Sequence, residues 1–155
     1  RYDVFKPEQR AEWWKGAVER LETELGPKQA VEVMESCGGK CCGSGQRKTA
    51  KRLMEESKDI PEFLQKVSVL GVKEGEISYE MIDEKTIIGR HHRCFCGQVK
   101  KSKQLFDSDA YCQCSVAFNR HFFEAAFEKP VSVILKQAIL NGADCCEFEI
   151  RIQSD

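Results

Sequence analysis

Through the first 70 residues, apolar side chains recur at intervals of three or four, which is the spacing of one helix face. The spacing predicts a helix from Pro7 to Leu25, a short helix over 28–36, a charged helix over 46–57 and a helix from Pro61 to Leu70. Gly26-Pro27 ends the first helix and begins the second, because glycine closes helices and proline is tolerated in a first turn. The N-terminal half is therefore predicted to be helical.

From residue 75 the pattern changes to alternation of apolar and polar residues, which is the period of a half-buried strand. We predict, in chain order, a β-hairpin over 77–88, an aromatic-rich helix over 115–127, a strand from Val131, a turn at Asn141-Gly142 and a return strand over 146–152. The pattern predicts an α+β fold in a single domain, 1–155. Its helical N-terminal half, 1–72, packs on an antiparallel sheet with one crossover helix, 73–155.

The charge balance argues against binding to a polyanion. The chain has 155 residues, with 24 Lys and Arg against 25 Asp and Glu, so its net charge is close to zero. A nucleic-acid partner is therefore not expected. No apolar run approaches the roughly 20 residues that span a bilayer, so no membrane partner is expected either. The sequence is compatible with a homodimer.

The nine cysteines lie in four tight groups: Cys37, Cys41 and Cys42; Cys94 and Cys96; Cys112 and Cys114; Cys145 and Cys146. An odd count excludes complete internal pairing, and neighbouring cysteines are poor disulfide partners. We therefore expect free thiols in a reducing, cytoplasmic compartment, with a bound metal rather than a disulfide framework.

Two Cys-x-Cys pairs suit a tetrahedral zinc site, in which four thiolates saturate the metal. We predict Cys94, Cys96, Cys112 and Cys114 as the ligands. Both pairs have to lie in bent segments, because a regular strand would send alternate side chains to opposite faces. We also expect the start of the following helix to lower the pKa of Cys114.

The first cysteine group allows further interpretations. Its segment, 37–45, holds three cysteines and four glycines, which predicts an irregular loop. Cys37, Cys41 and Cys42 could replace or supplement the other ligands, and so many thiols also suit a 4Fe–4S cluster. Cys42 is alternatively a nucleophile, with His91 or His92 as its base.

The second half resembles a known group of domains. The resemblance rests on residues 111–115, 116–128, 129–133 and 141–150. The last of these segments contains Gly142 and the run Cys146-Glu147-Phe148. They are similar to the C-terminal regions of 4-vinyl reductase domains and of proteins like L-2-amino-thiazoline-4-carboxylic acid hydrolase. The resemblance covers at best residues 75–152. It implies an α+β domain that encloses an apolar pocket for a small molecule.

Three functions are compatible with these residues. The first is a metal-thiolate domain, with zinc or an iron–sulfur cluster, that binds a small molecule or senses redox state. The second is a hydrolase that acts on a C–S or C–N bond through a cysteine nucleophile or an open metal site. The third is a structural metal site in an interaction module.

Overall fold

The computed structural model describes residues 6–154. Its elements, in chain order, are α1 (Pro7–Leu25), α2 (Pro27–Cys41), α3 (Ser44–Glu55), α4 (Ile60–Ser68), β1 (Ile77–Met81), β2 (Thr86–His91), α5 (Gln113–Phe127), β3 (Val131–Gln137), a 3₁₀ helix (Ile139–Asn141) and β4 (Cys146–Ile152). The α+β prediction, with a helical first half, an antiparallel sheet and one crossover helix, is confirmed.

Local signals set several helix ends. Gly26, with a φ of 83°, ends α1, and Pro27 follows it as the first residue of α2. Asp59 caps α4, because its Oδ1 accepts a hydrogen bond from the backbone N–H of Glu62 at 2.9 Å. Glu128, in the left-handed region with a φ of 52°, ends α5.

The predicted loop over 37–45 is wrong except at residues 42 and 43. Helix α2 continues through Gly38 and Gly39 to Cys41, and α3 begins at Ser44. Close packing against α5 explains this, since a Cβ at Gly38 would lie 2.1 Å from the carbonyl oxygen of Cys114. The glycines serve this helix contact, so their low helix propensity is outweighed by tertiary packing.

The four strands form one antiparallel sheet in the order β1-β2-β4-β3. Its apolar face packs under α5, with α3 and α4 completing the core. Phe63, Phe123 and Phe148 are the largest fully buried side chains of this core. Burial of such residues contributes roughly 1.5–3 kcal/mol each.

A second core lies between α1, α2 and the long connection from β2 to α5. Ala11, Val18 and Ala30 come from the two helices, whereas Phe106 and Tyr111 come from the connection. Cys94, Cys96, Cys112 and Cys114 pack against this core. The cysteine pairs are thereby held between two cores. No helix within residues 6–154 is long and apolar enough to cross a membrane.

Candidate functional site

Six cysteines line one cavity of about 290 Å³ that lies between the two cores. They are Cys41, Cys94, Cys96, Cys112, Cys114 and Cys146. The other walls are mainly apolar and aromatic: Phe95, Tyr111, Phe118, Leu140 and Phe148, with His91, Arg93, Ser115 and Asn119. We call this space the thiol cavity.

Separate elements bring these groups together. Strand β2 ends at His91, opposite Cys146 in the register with β4. The connection that follows supplies Cys94 and Cys96, and Cys112 is the N-cap residue of α5. Cys41 arrives from the last turn of α2. The cavity therefore exists only when both halves of the chain are folded.

Sequence-predicted residues divide into two sets. Both Cys-x-Cys pairs reach the thiol cavity, as do Cys41 and His91. Cys42 does not, because it is fully buried in the core under α5. His92 is exposed, with its Nε2 3.4 Å from the Oγ of Ser78. Cys37 is exposed on α2 and is not among the lining residues.

This placement does not favour Cys42 as a nucleophile. Burial raises the pKa of its thiol, which keeps the group protonated and unreactive at neutral pH. Cys42 also shares no cavity with His91, and His92 points away on the surface. The predicted pairing of this cysteine with a histidine base is thus without support from the geometry.

Three of the thiols in the cavity are neutral rather than activated. Burial is the main cause that raises the pKa of Cys94, of Cys112 and of Cys114, the last to about 11. Negative charge on the neighbouring thiols, including Cys146 and Cys96, raises these pKa values further. The expected lowering of the Cys114 pKa by the helix start is wrong, because desolvation dominates there.

Hydrogen bonds hold some of these sulfur atoms in place. The Cys96 sulfur lies 3.3 Å from the hydroxyl oxygen of Tyr111, and Cys114 donates to the Tyr111 carbonyl oxygen at 3.3 Å. The backbone N–H of Ile139 donates to the sulfur of Cys146 at 3.4 Å. The thiols are consequently positioned by the fold.

The cationic residues near the first pair are already occupied. Arg93 donates from Nε to Glu76 at 2.7 Å and covers the ring of Phe95 at 3.9 Å. Arg90 donates to Glu147 at 2.8 Å. These arginines therefore serve ion pairs and a ring contact.

The predicted metal site is not confirmed. Over residues 6–154, no three His, Cys, Asp or Glu side chains form a group that could hold a metal ion. The four thiols of the two Cys-x-Cys pairs share a cavity, but their sulfur atoms do not converge on one point as placed.

Sequence reasoning missed the aromatic wall of the cavity. Phe118 and Phe148 were placed in the aromatic helix and the return strand with no role in a site, although both line the cavity. Cys146 was assigned only to a strand. A signal for its position existed, because the alternation of β4 places Cys146, Phe148 and Ile150 on one face.

Comparison with known families assigns the chain to one of them. The sequence model of DUF6144, described as a family of unknown function, matches residues 3–155. The chain belongs to this family. No curated protein matches it.

A solved structure shares the fold. It is described as the crystal structure of the phenol-responsive sensory domain of the transcription activator PoxR with phenol. The DUF6144 chain is 14% identical to it, with a TM-score of 0.58, and the match covers 96% of this chain and 76% of that one. At this identity the likeness establishes a common fold alone. The resemblance to 4-vinyl reductase domains is not confirmed by these comparisons.

Proposed function

We propose that this DUF6144 domain is a sensory domain that binds a small, uncharged and mainly aromatic molecule in the thiol cavity. The single observation that carries the proposal is the cavity itself, since a space of about 290 Å³ has five large apolar or aromatic side chains in its walls. Ligand sites are typically concave, mostly apolar and equipped with few polar groups. The volume is at the lower end for such sites, which favours a small ligand.

The electrostatics of the walls support an uncharged ligand. The thiols of Cys94, Cys112 and Cys114 are neutral because burial raises their pKa values, and Arg93 is paired with Glu76. A charged ligand would lose its hydration without gaining a counter-ion there. Neutral sulfur is polarisable and makes favourable contacts with aromatic rings.

The sensory domain of PoxR adds support from a shared fold. Its structure is described with phenol, a small and neutral aromatic molecule. The same class of ligand suits the thiol cavity, whose walls include Phe95, Phe118 and Phe148.

Titration of the protein with phenol, followed by NMR, tests this proposal. The variant Phe118→Ala removes one wall and is expected to weaken binding about tenfold to hundredfold, given roughly 1.5–3 kcal/mol for a buried aromatic side chain. Phe127→Ala is the matched control, because Phe127 is also half-buried on α5 but lies outside the thiol cavity. Equal affinities in both variants, or saturable binding by neither phenol nor toluene, would argue against the proposal.

A metal-thiolate role is a second candidate, favoured by the clustering of the thiols. Cys94, Cys96, Cys112 and Cys114 would hold zinc or an iron–sulfur cluster, with Cys37, Cys41 and Cys42 as alternative or additional ligands. The donor chemistry fits, since a cation would reverse the mutual repulsion that raises the thiol pKa values. Binding would require the sulfur atoms to turn towards one point.

Elemental analysis of anaerobically purified protein tests this second candidate. One zinc, or about four irons with a broad absorption band, would support it. The variants Cys94→Ser and Cys112→Ser should then lose the metal, whereas Cys145→Ser, outside the cavity lining, should retain it. Folded protein without any metal would remove this candidate and leave the small-molecule proposal standing.

A further inference from the structure

The imidazole of His91 carries a buried polar atom without a partner. Among the buried side-chain nitrogen and oxygen atoms of residues 6–154, only Nε2 of His91 lacks a hydrogen bond. Leaving such an atom unpaired is costly, and native structures rarely retain one without a functional reason. His91 lines the thiol cavity, so a group in that cavity can supply the missing partner.

Aromatic neighbours fix the orientation of this imidazole. The ring of Phe95 meets it edge-on at 5.6 Å between centroids, and the ring of Phe148 lies at 5.3 Å with a tilt of 56°. Both phenylalanines also line the cavity. Since neither ring can form a conventional hydrogen bond, Nε2 has no partner among these neighbours.

Building on the proposed function, we infer that the ligand is a phenol or a hydroxylated heteroaromatic molecule whose ring hydroxyl pairs with Nε2 of His91. A neutral imidazole either accepts or donates at this nitrogen, depending on its tautomer. A hydroxyl group satisfies both cases, because it donates one hydrogen bond and accepts others. The ring of the ligand then packs against Phe118 and Phe148.

The surroundings argue for hydroxyl rather than carboxylate or ammonium as the polar group. The pKa of His91 is lowered to about 4, mainly by burial and further by His92, so the imidazole is uncharged at neutral pH. Arg93 is held by Glu76, and burial keeps the thiols of Cys112 and Cys114 protonated. These side chains therefore offer no free charge to an ionic ligand.

A second cavity, of about 320 Å³, touches the same histidine. It shares His91, Phe95, Phe118 and Asn119 with the thiol cavity and is otherwise lined by residues such as Leu70 and Tyr79. His91 thus lies where the two cavities adjoin. Substituents on the ligand ring therefore have room in this second cavity.

The test compares phenol with toluene, which has the same ring without the hydroxyl, in the full chain. Wild-type protein is expected to bind phenol about threefold to tenfold more tightly than toluene, the range of one neutral hydrogen bond. In His91→Phe the order should reverse, because the phenol hydroxyl loses water and gains no partner. His92→Phe is the matched control and should keep the wild-type order, since His92 is exposed.

The outcomes separate this inference from the proposed function. Saturable binding of both molecules with equal preference in wild type and His91→Phe would overturn the role of His91 and leave a sensory cavity in place. Binding of neither molecule would overturn both. If His91→Phe does not fold, His91→Leu repeats the comparison with a smaller side chain, and an unchanged preference there is equally decisive against the inference.

Discussion

The crossing of α2 and α5 offers the sharpest test of the structure. A Cβ added at Gly38 would lie 2.1 Å from the carbonyl oxygen of Cys114 and 2.6 Å from the Cβ of Ala117. Both contacts are shorter than van der Waals separation allows, and one of them is to backbone. The substitution Gly38→Ala therefore has to push the two helices apart.

Two opposing terms set the expected size of the effect. Alanine is favoured over glycine inside a helix by about 0.5–1 kcal/mol. Inserting a methyl group into a packed interior costs typically about 1–3 kcal/mol, and a backbone clash belongs at the upper end. The net result is a loss of about 2 kcal/mol in the free energy of unfolding. For a chain of this length that corresponds to a fall of roughly 4–8 °C in Tm.

Urea denaturation of two alanine variants measures this difference. Gly16→Ala is the matched control, because Gly16 lies within α1 and an added Cβ meets nothing within 4 Å. It should gain up to about 1 kcal/mol from helix propensity alone. The two substitutions are thus expected to act with opposite signs. Equal gains in stability would refute the close crossing of α2 on α5.

Further outcomes follow from other parts of the chain. Gly89→Ala should lower Tm, since its Cβ would come within 2.7 Å of the ring of Tyr79, and an unchanged Tm would contradict this packing. In native protein, iodoacetamide should label the exposed Cys37 and Cys41 first. Four half-buried thiols should react later, because burial raises their pKa values. Peptide mass mapping would show this order, and uniform labelling would contradict the burial. Because the fold lowers the pKa of His91, the free energy of unfolding should depend on pH. This pKa is about 4 when folded and 6.5 in the unfolded chain, so between these values the unfolded state binds more protons. Stability should therefore fall as pH drops from 6.5 to 5, by at most about 1.4 kcal/mol per pH unit, and His91→Phe should reduce this slope. Identical slopes in the two proteins would refute the lowered pKa.

The main elements of the fold follow from periodicity, and the exceptions have physical causes. Helix α1 and the hairpin of β1 and β2 were predicted because their apolar residues keep a steady period. The end of α2 was not predicted correctly, because Gly38 and Gly39 have low helix propensity. Only their contact with α5, distant in sequence, stabilises the helical form. No local pattern reports such a contact.

The sequence predicts which cysteines come together in the site, but not how deeply they are buried. Spacing identified the two Cys-x-Cys pairs, and both reach one cavity. Spacing does not report desolvation, so the direction of the Cys114 pKa shift was missed. His91 and His92 look alike in sequence. The alternation of β2 distinguishes them, since His91 continues the inward face of Ile87 and Gly89.

The costs in free energy at this cavity explain why we assign function to it. Thiols packed among aromatic rings could be replaced by alanine or valine with the loss of only weak hydrogen bonds to sulfur, and the unpaired Nε2 of His91 would disappear in a phenylalanine. A purely structural role would therefore favour those apolar residues. Residues that cost folding free energy are retained where function requires them. Here the thiols and the unpaired Nε2 occur together in one cavity between two well-packed cores. The same argument predicts that His91→Phe is at least as stable as the wild type while its preference for phenol is lost. A variant that is less stable and keeps that preference would assign His91 to structure alone.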